Sequence, residues 1–398
     1  MPVYPFRGVL QDYAWGGHQF LRSFLQQSGL EKPGPQAEYW MGTHHKGPAK
    51  LMGSDYTLAD LIHNNPTQQL GQEVAERFAN RLPFLLKVLD VNDMLSIQVH
   101  PTKAAAEKGF AEEDAKRIDR SAPNRNYRDD NHKPELGVAL TDFYLLHGFK
   151  SEEEIKRAMT QVPGWSGLLP ALERGGVKEL YRTVMEADQG QLDSWLNPLV
   201  ESLGPESDYD RSQPEFWAAR AIEQYSENGH HDRGLFSIYW FNIVHLTPGQ
   251  GVFQDAGIPH AYLEGVCIEL MANSDNVLRG GLTPKHIDVP ELLDNTRFEA
   301  KAVEKLLPQA STHEGWSHYP TPAPDFQLYL TQIHQGGKVE VDTTKGGPSI
   351  LLLLTGEAQG IQEEVALSVD HRTVFVPAGQ KFTLQGLKET TMYRASVT

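Results

Sequence analysis

The sequence predicts a mainly β protein interrupted by one α-helical insertion and closed by a small C-terminal β-barrel. Three observations carry this. Residues 1 to about 100 read mostly as strands and turns; the apolar spacing becomes helical from Ser151 to about residue 228; and residues 319–398 return to strands separated by glycine turns.

In chain order, Glu38-Tyr-Trp-Met-Gly-Thr-His-His45 is a short strand entering a turn, and Thr57 to Ala79 is helical. Leu82 to Val91 is an almost continuous apolar strand holding a lone Lys87. Lys103 to Asn131 is charged and polar, a short helix followed by a long surface loop, and Glu135 to Phe149 is strand again. Ser151-Glu-Glu-Glu154 then fits a capping box, with a hydroxyl at the cap and a carboxylate three residues on. Ile155, Ala158, Met159 and Val162 follow at helical spacing, as do Val177, Leu180, Tyr181, Val184 and Met185, then Leu192, Trp195, Leu196, Leu199, Val200 and Leu203. These stripes are helix-packing faces. Strands are expected to resume at Leu235-Phe-Ser-Ile-Tyr-Trp-Phe-Asn-Ile-Val244 and to run from Gly249 to Met271. Tyr319-Pro-Thr-Pro-Ala-Pro324 is a joint, beyond which Thr355-Gly-Glu357 and Phe375-Val-Pro-Ala-Gly-Gln380 are phrases of a small β-barrel. The expected division is 1–150 with 229–318, 151–228, and 319–398.

The formal net charge is −16, which argues against nucleic acid and anionic membrane surfaces as partners. An acidic chain that binds an anionic substrate must gather a local basic cluster. The single cysteine, Cys267, allows neither an intrachain disulfide nor a cysteine zinc cage, and fits a reducing cytoplasm. Met1 to Gly8 lacks a signal-peptide pattern, and no apolar run approaches membrane-spanning length.

The densest chemistry begins at Leu95-Ser-Ile-Gln-Val-His-Pro101. Strand side chains alternate faces, so Ser96, Gln98 and His100 share one face and Leu95, Ile97 and Val99 the other. Asn131-His-Lys-Pro-Glu135 begins a second strand, with Lys133 and Glu135 facing one way and His132 the other. Gly257-Ile-Pro-His260-Ala-Tyr262 places a histidine after a turn, with Tyr262 on its face. Gln98, His100, Glu135 and His260 together give two imidazoles, one carboxylate and one amide oxygen, a set suited to zinc or another borderline divalent metal. A single carboxylate leaves the site net positive, able to stabilise a developing oxyanion.

Asn273-Ser-Asp-Asn-Val-Leu-Arg-Gly-Gly-Leu-Thr-Pro-Lys285 reads as an anion site. Gly280 and Gly281 let backbone approach a ligand, Thr283-Pro284 reads as a helix cap and first helical position, and Arg279 and Lys285 supply positive charge.

These phrases resemble a known family. Phe6-Arg-Gly-Val-Leu-Gln-Asp-Tyr-Ala-Trp-Gly-Gly17, Glu38-Tyr-Trp-Met-Gly42, Leu82-Pro-Phe-Leu-Leu-Lys-Val-Leu89, Leu95 to Pro101, Asn131 to Glu135, Pro259-His-Ala-Tyr-Leu263 and Ser274 to Lys285 are similar to type I mannose-6-phosphate isomerases, in that family's order. The resemblance implies a zinc-dependent aldose–ketose isomerase acting on mannose 6-phosphate and fructose 6-phosphate. Its implied fold is a catalytic cupin-type β-barrel, a helical insertion and a C-terminal jelly roll. The implied zinc ligands, one ion per chain, are Gln98, His100, Glu135 and His260. Lys133 takes the place of the catalytic lysine with His132 beside it, and Asp275 and Arg279 take the places of the active-site aspartate and arginine. Thr43-His44-His45 stands where the family more often has Ala-His-Pro, and Gly280 where it commonly has Ala.

The expected chemistry moves a proton between C1 and C2 through an enediol, with Lys133 as base and Glu269 as its rival. His132 and Asp275 assist ring opening, and Arg279 stabilises the intermediate. Lys285 with Ser96 takes the phosphate, with Arg279 able to share that duty, and Tyr262 faces the substrate. The competing expectations are an isomerase of unphosphorylated mannose or a pentose, and a sugar-binding cupin without catalysis.

Overall fold

Hydrogen bonding joins all the strands of the described residues into three antiparallel sheets in this computed structural model, which describes residues 3–397 except 27, 28, 31, 312, 314, 362 and 363. Met1, Pro2 and Thr398, at the ends of the N-terminal stretch and the C-terminal barrel of the sequence reading, lie outside the described residues. The ten-stranded sheet has the long strand His260–Ala272 as its spine. The second half of that strand pairs with Phe84–Val91 on one side and Glu135–Ala139 on the other, so that Glu269 lies opposite both Lys87 and Gly137. Its first half pairs with Ile97–Val99 and Phe143–Phe149, with a register shift between Tyr262 and Glu264. Gly265 follows the shift at φ +120°, where a Cβ would lie 2.3 Å from the Asp142 carbonyl oxygen. Only glycine fits that bend, and the bend lets one strand serve both halves of a curled sheet. The sheets remain open, so the expected barrels curl without hydrogen-bonded closure among the described residues.

The C-terminal region forms an eight-stranded and a four-stranded sheet. The larger one also takes in the N-terminal strand Tyr4–Arg7, paired to Thr373–Val376, and then Lys50–Leu51. The start of the chain is thereby stitched to its end, with Phe6 buried between them.

Helices Glu152–Gln161, Leu169–Glu186, Gln189–Ser202 and Pro214–Tyr225 form the expected insertion. Ser151 and Glu154 make the predicted reciprocal cap. The stripe Val177, Leu180, Tyr181, Val184 and Met185 is buried. The helical region extends further than expected, since Gly234–Trp240 is a helix and the strand starts only at Phe241. All seven residues of that helix are buried, so the run is apolar on every side and its periodicity cannot distinguish helix from strand.

Two other segments are firmer or more broken than the sequence suggests. Thr57 to Ala79 is three short helices, Leu58–Asn64, Pro66–Leu70 and Gln72–Arg77. The loop after helix Lys103–Ala115 is pinned rather than loose: Arg125 is buried and bonds Glu113, Asp114 and the carbonyls of Ile118 and Tyr127.

The insertion's apolar core is continuous with Ile97 and Val99, the back of the strand that carries Gln98. Replacing the fully buried Ile97 by Ala should therefore cost about 2–5 kcal/mol, read as a lower urea midpoint.

Candidate metal centre

Three strand ends converge on one point. Gln98 sits within Ile97–Val99 with His100 one residue beyond that strand, Glu135 opens Glu135–Ala139, and His260 opens His260–Ala272. His260 lies directly opposite Gln98 in the sheet, so the two share a face. The Glu135 carboxylate lies between the histidines, with His100 Nε2 3.3 Å from Oε1 and His260 Nε2 3.3 Å from Oε2. Gln98, Glu135, His260 and Lys133 line a cavity of about 70 Å³, room for an ion and a few waters.

The donor set fits a divalent cation on its own chemistry. His100 Nδ1 lies 2.8 Å from the Asn276 carbonyl oxygen and His260 Nδ1 2.9 Å from that of Ile258. A carbonyl only accepts, so each Nδ1 carries the proton and each Nε2 turns a lone pair toward Glu135. His100 Nε2 is buried and has no hydrogen-bond partner. Burial holds the His100 ring neutral, its pKa pushed down to about 4. Burial alone would raise Glu135, but the Lys133 ammonium foremost holds its carboxyl well below the usual range. Two lone pairs and an anion facing one another repel unless a cation joins them, and nitrogen and carboxylate donors are those zinc takes.

Two lysines flank this point. Lys133 Nζ lies 3.1 Å from Glu135 Oε1. On the other wall, Lys87 Nζ bridges Glu269 Oε2 at 2.9 Å and Glu38 Oε2 at 3.1 Å. Trp40 Nε1 donates to Glu38 Oε2 at 2.6 Å, Tyr262 donates to Glu269 Oε1 at 2.9 Å, and Gln254 Nε2 donates to the Tyr262 hydroxyl at 2.9 Å. Burial works against the Lys87 charge, yet Glu269 and Glu38 raise its pKa. Burial pushes Glu269 up. Lys87, Glu38 and Trp40 had no site role in the sequence reading, although a lone lysine in an apolar strand signals a buried charge that needs partners.

Several expectations change in three dimensions. Leu95 lines the cavity instead of joining Ile97 and Val99, because the regular strand begins only at Ile97. His132 does face away from Lys133, and its Nε2 lies 2.8 Å from Asp325 in the Pro-rich joint. Asp275 is held by His44 at 3.3 Å, His45 at 3.8 Å and Lys46 at 2.8 Å. Despite its burial, His44 and Lys46 keep its carboxyl well below the usual range.

The anion loop is corrected in three respects. Thr283-Pro284 begins no helix; the next one is Val289–Asn295, capped by Asp288. The Leu282 and Thr283 N–H groups donate to the Asp232 carboxylate at 2.6 and 3.2 Å, so a protein anion already occupies them. The glycines approach the helical region rather than a ligand. A Cβ on Gly280 would lie 2.7 Å from the Tyr181 hydroxyl, and one on Gly281 2.6 Å from Gly234 Cα. Arg279, however, lies directly opposite Gln98, beside the candidate ligands. Lys285 is exposed, and Ser96 is half-buried with no hydrogen bond to either cation among the described residues.

Residues 3–152 match the profile of the family described as phosphomannose isomerase type I, catalytic domain. Mannose-6-phosphate isomerase of Escherichia coli (strain K12) is 40% identical over 360 residues, 88% of each chain. The chain belongs to the type I phosphomannose isomerase family. The Homo sapiens mannose-6-phosphate isomerase is 33% identical over 383 residues, covering 89% of this chain and 88% of its own. Among solved structures, a mannose 6-phosphate isomerase bound with zinc and yttrium superposes at TM-score 0.87 with 34% identity, over 100% of this chain and 99% of that one. The apo form from Salmonella typhimurium gives 0.86 at 33% identity, with the same coverage. The family expected from the sequence phrases is thus the one found, and the mainly β architecture with a helical insertion is shared with these phosphomannose isomerases.

The buried neutral His100 sets a pH dependence for the metal-free protein. Its folded pKa lies below the ordinary 6.5, so the unfolded chain binds the extra proton first as pH falls. The stability it contributes is present above about pH 6.5 and is lost as pH falls toward about 4, with the Glu135 contribution lost at still lower pH. Urea midpoints of stripped protein should fall across that window, and added zinc should move the falling edge to lower pH.

Proposed function

We propose that this protein is a zinc-dependent aldose–ketose isomerase interconverting D-mannose 6-phosphate and D-fructose 6-phosphate. The observation that carries the reading is the meeting of His100, Glu135 and His260 within 4.8 Å, with Gln98 and Lys133 on the same cavity. Relatives from bacteria and mammals named for mannose 6-phosphate support the substrate, and the zinc-bound related structure supports the metal. The readings as an unphosphorylated-sugar isomerase or a non-catalytic cupin have no comparable support.

Gln98, His100, Glu135 and His260 hold one ion per chain, which when bound supplies electrostatic stabilisation of the enediolate oxygens. Lys133 is assigned the proton transfer between C2 and C1, since it lines the cavity; the ammonium paired with Glu135 must first give up its proton, and a cation held by Glu135 would favour that loss. Glu269 remains its rival, although Lys87 and Tyr262 engage both of its oxygens. Asp275 is assigned to ring opening, and His132, turned toward Asp325, supports it less directly. Arg279, opposite Gln98, stabilises the intermediate and reaches toward the phosphate, which Lys285 and Ser96 also serve. Tyr262 orients Glu269 and faces the substrate.

The same proposal divides the chain into a catalytic barrel (1–150 and 229–318), a helical insertion (151–228) and a C-terminal barrel (319–398), with strands from the first part lent to the last. No helix of the described residues is long and apolar enough to cross a membrane. We place the enzyme in the cytoplasm from its one unpaired, buried cysteine, and its acidic balance argues against nucleic-acid and membrane partners.

Stripping the metal should abolish mannose 6-phosphate turnover and restoring zinc should return it, with unphosphorylated mannose turned over far more slowly. No turnover by the zinc-loaded enzyme would overturn the reading. Lys133→Met should keep its zinc yet lose about 10²–10⁴ in kcat. Near-normal activity in that variant would move the base role to Glu269.

A further inference from the structure

Arg128 belongs to no motif in the sequence reading, and the loop that bears it is held with unusual care. Its backbone N–H donates to Asn276 Oδ1 at 2.7 Å. Asn276 is fully buried, its own carbonyl fixes His100 Nδ1, and it lies three residues before Arg279. Asp129, next to Arg128, ties the same segment down: its carboxylate accepts from Ser274 Oγ at 2.8 Å and from the Asp275 N–H at 2.7 Å. One clamp therefore joins Arg128, Arg279 and the metal ligand His100.

The charges on this face do not balance. Arg128 and Arg279 are half-buried, and Lys285 stands four residues beyond Gly281. None of the three has a carboxylate within ion-pairing distance among the described residues, in a chain of net charge −16. Lys46, nearby, is already paired with Asp275. The three unpaired cations repel one another: after burial, Arg128 lowers the pKa of Arg279, and Arg279 and Arg128 together lower that of Lys285. Gathering like charge while carboxylates are plentiful costs stability, and a dianion placed among them removes the cost.

We propose that Arg128 is a specificity-determining residue whose guanidinium, with Arg279 and Lys285, grips the phosphate of the sugar phosphate. The assignment rests on the isomerase reading for its substrate. Arg128 supplies a planar fork of N–H donors matched to phosphate oxygens, on a backbone fixed before substrate arrives. It binds ground state and transition state alike, so its loss appears in KM more than in kcat.

The test titrates inorganic phosphate into zinc-loaded wild type, Arg128→Gln, Arg128→Lys and, as a control for lost charge elsewhere, the exposed Lys108→Gln, alongside mannose 6-phosphate kinetics. Arg128→Gln should weaken phosphate binding and raise KM by about tenfold or more, with kcat changed less than about threefold. Arg128→Lys should recover part of the loss, and Lys108→Gln should match wild type. Phosphate binding by Arg128→Gln within about twofold of wild type would overturn the assignment, as would an equal loss in Lys108→Gln. Absence of turnover in wild type would refute the isomerase reading alone, because the phosphate titration still decides Arg128.

Discussion

The site is organised around one carboxylate placed where it is unfavourable on its own. Glu135 is buried, and two imidazole lone pairs face its oxygens. Its compensations are the Lys133 ammonium and the cation that the donor set fits. Burying such a group without partners costs several kcal/mol, so the surroundings must hold each partner in place. The peptide carbonyls of Asn276 and Ile258 do this by fixing the histidine tautomers.

A second economy of charge surrounds the first. Lys87 carries two carboxylates, Glu38 and Glu269, and those carboxylates in turn take Trp40 and Tyr262. This network pairs each of its charged groups and forms a hydrogen-bonded polar wall. The opposite side differs in kind. Arg128, Arg279 and Lys285 are positioned by backbone and amide contacts but are not neutralised. On the proposed phosphate contacts, uncompensated positive charge near the Gln98 strand would draw the charged end of an anionic sugar to that side.

The helical insertion has a physical part in this. Its core runs unbroken onto Ile97 and Val99, so the apolar backs of the metal-ligand strand are packed by insertion helices rather than by a second sheet. Asp232 and Gly234, at the return from the insertion, anchor the turn after Arg279 through N–H donors and a close backbone approach. Disturbing the insertion therefore reaches both the metal strand and the loop bearing Arg279.

What depends on near neighbours was legible in the residues alone. Strand alternation put Lys133 with Glu135 and turned His132 away, helical spacing marked the insertion and its Ser151 cap, and the ordered phrases identified the family and pointed to Gln98, His100, Glu135 and His260, of which the last three meet in space. The sequence reading misread Leu235 to Trp240, because a run buried on all sides has no polar face to set its period. It also misread Gly280, Gly281 and Thr283-Pro284, because their partners, Tyr181, Gly234 and Asp232, lie some fifty to a hundred residues away in the chain. Which charges are paired emerged only in three dimensions. Lys87 stands alone in an apolar run and Arg128 stands beside two aspartates, yet the fold surrounds the first with carboxylates and sets the second against Arg279, since Coulomb energy depends on distance and burial in space rather than on position along the chain.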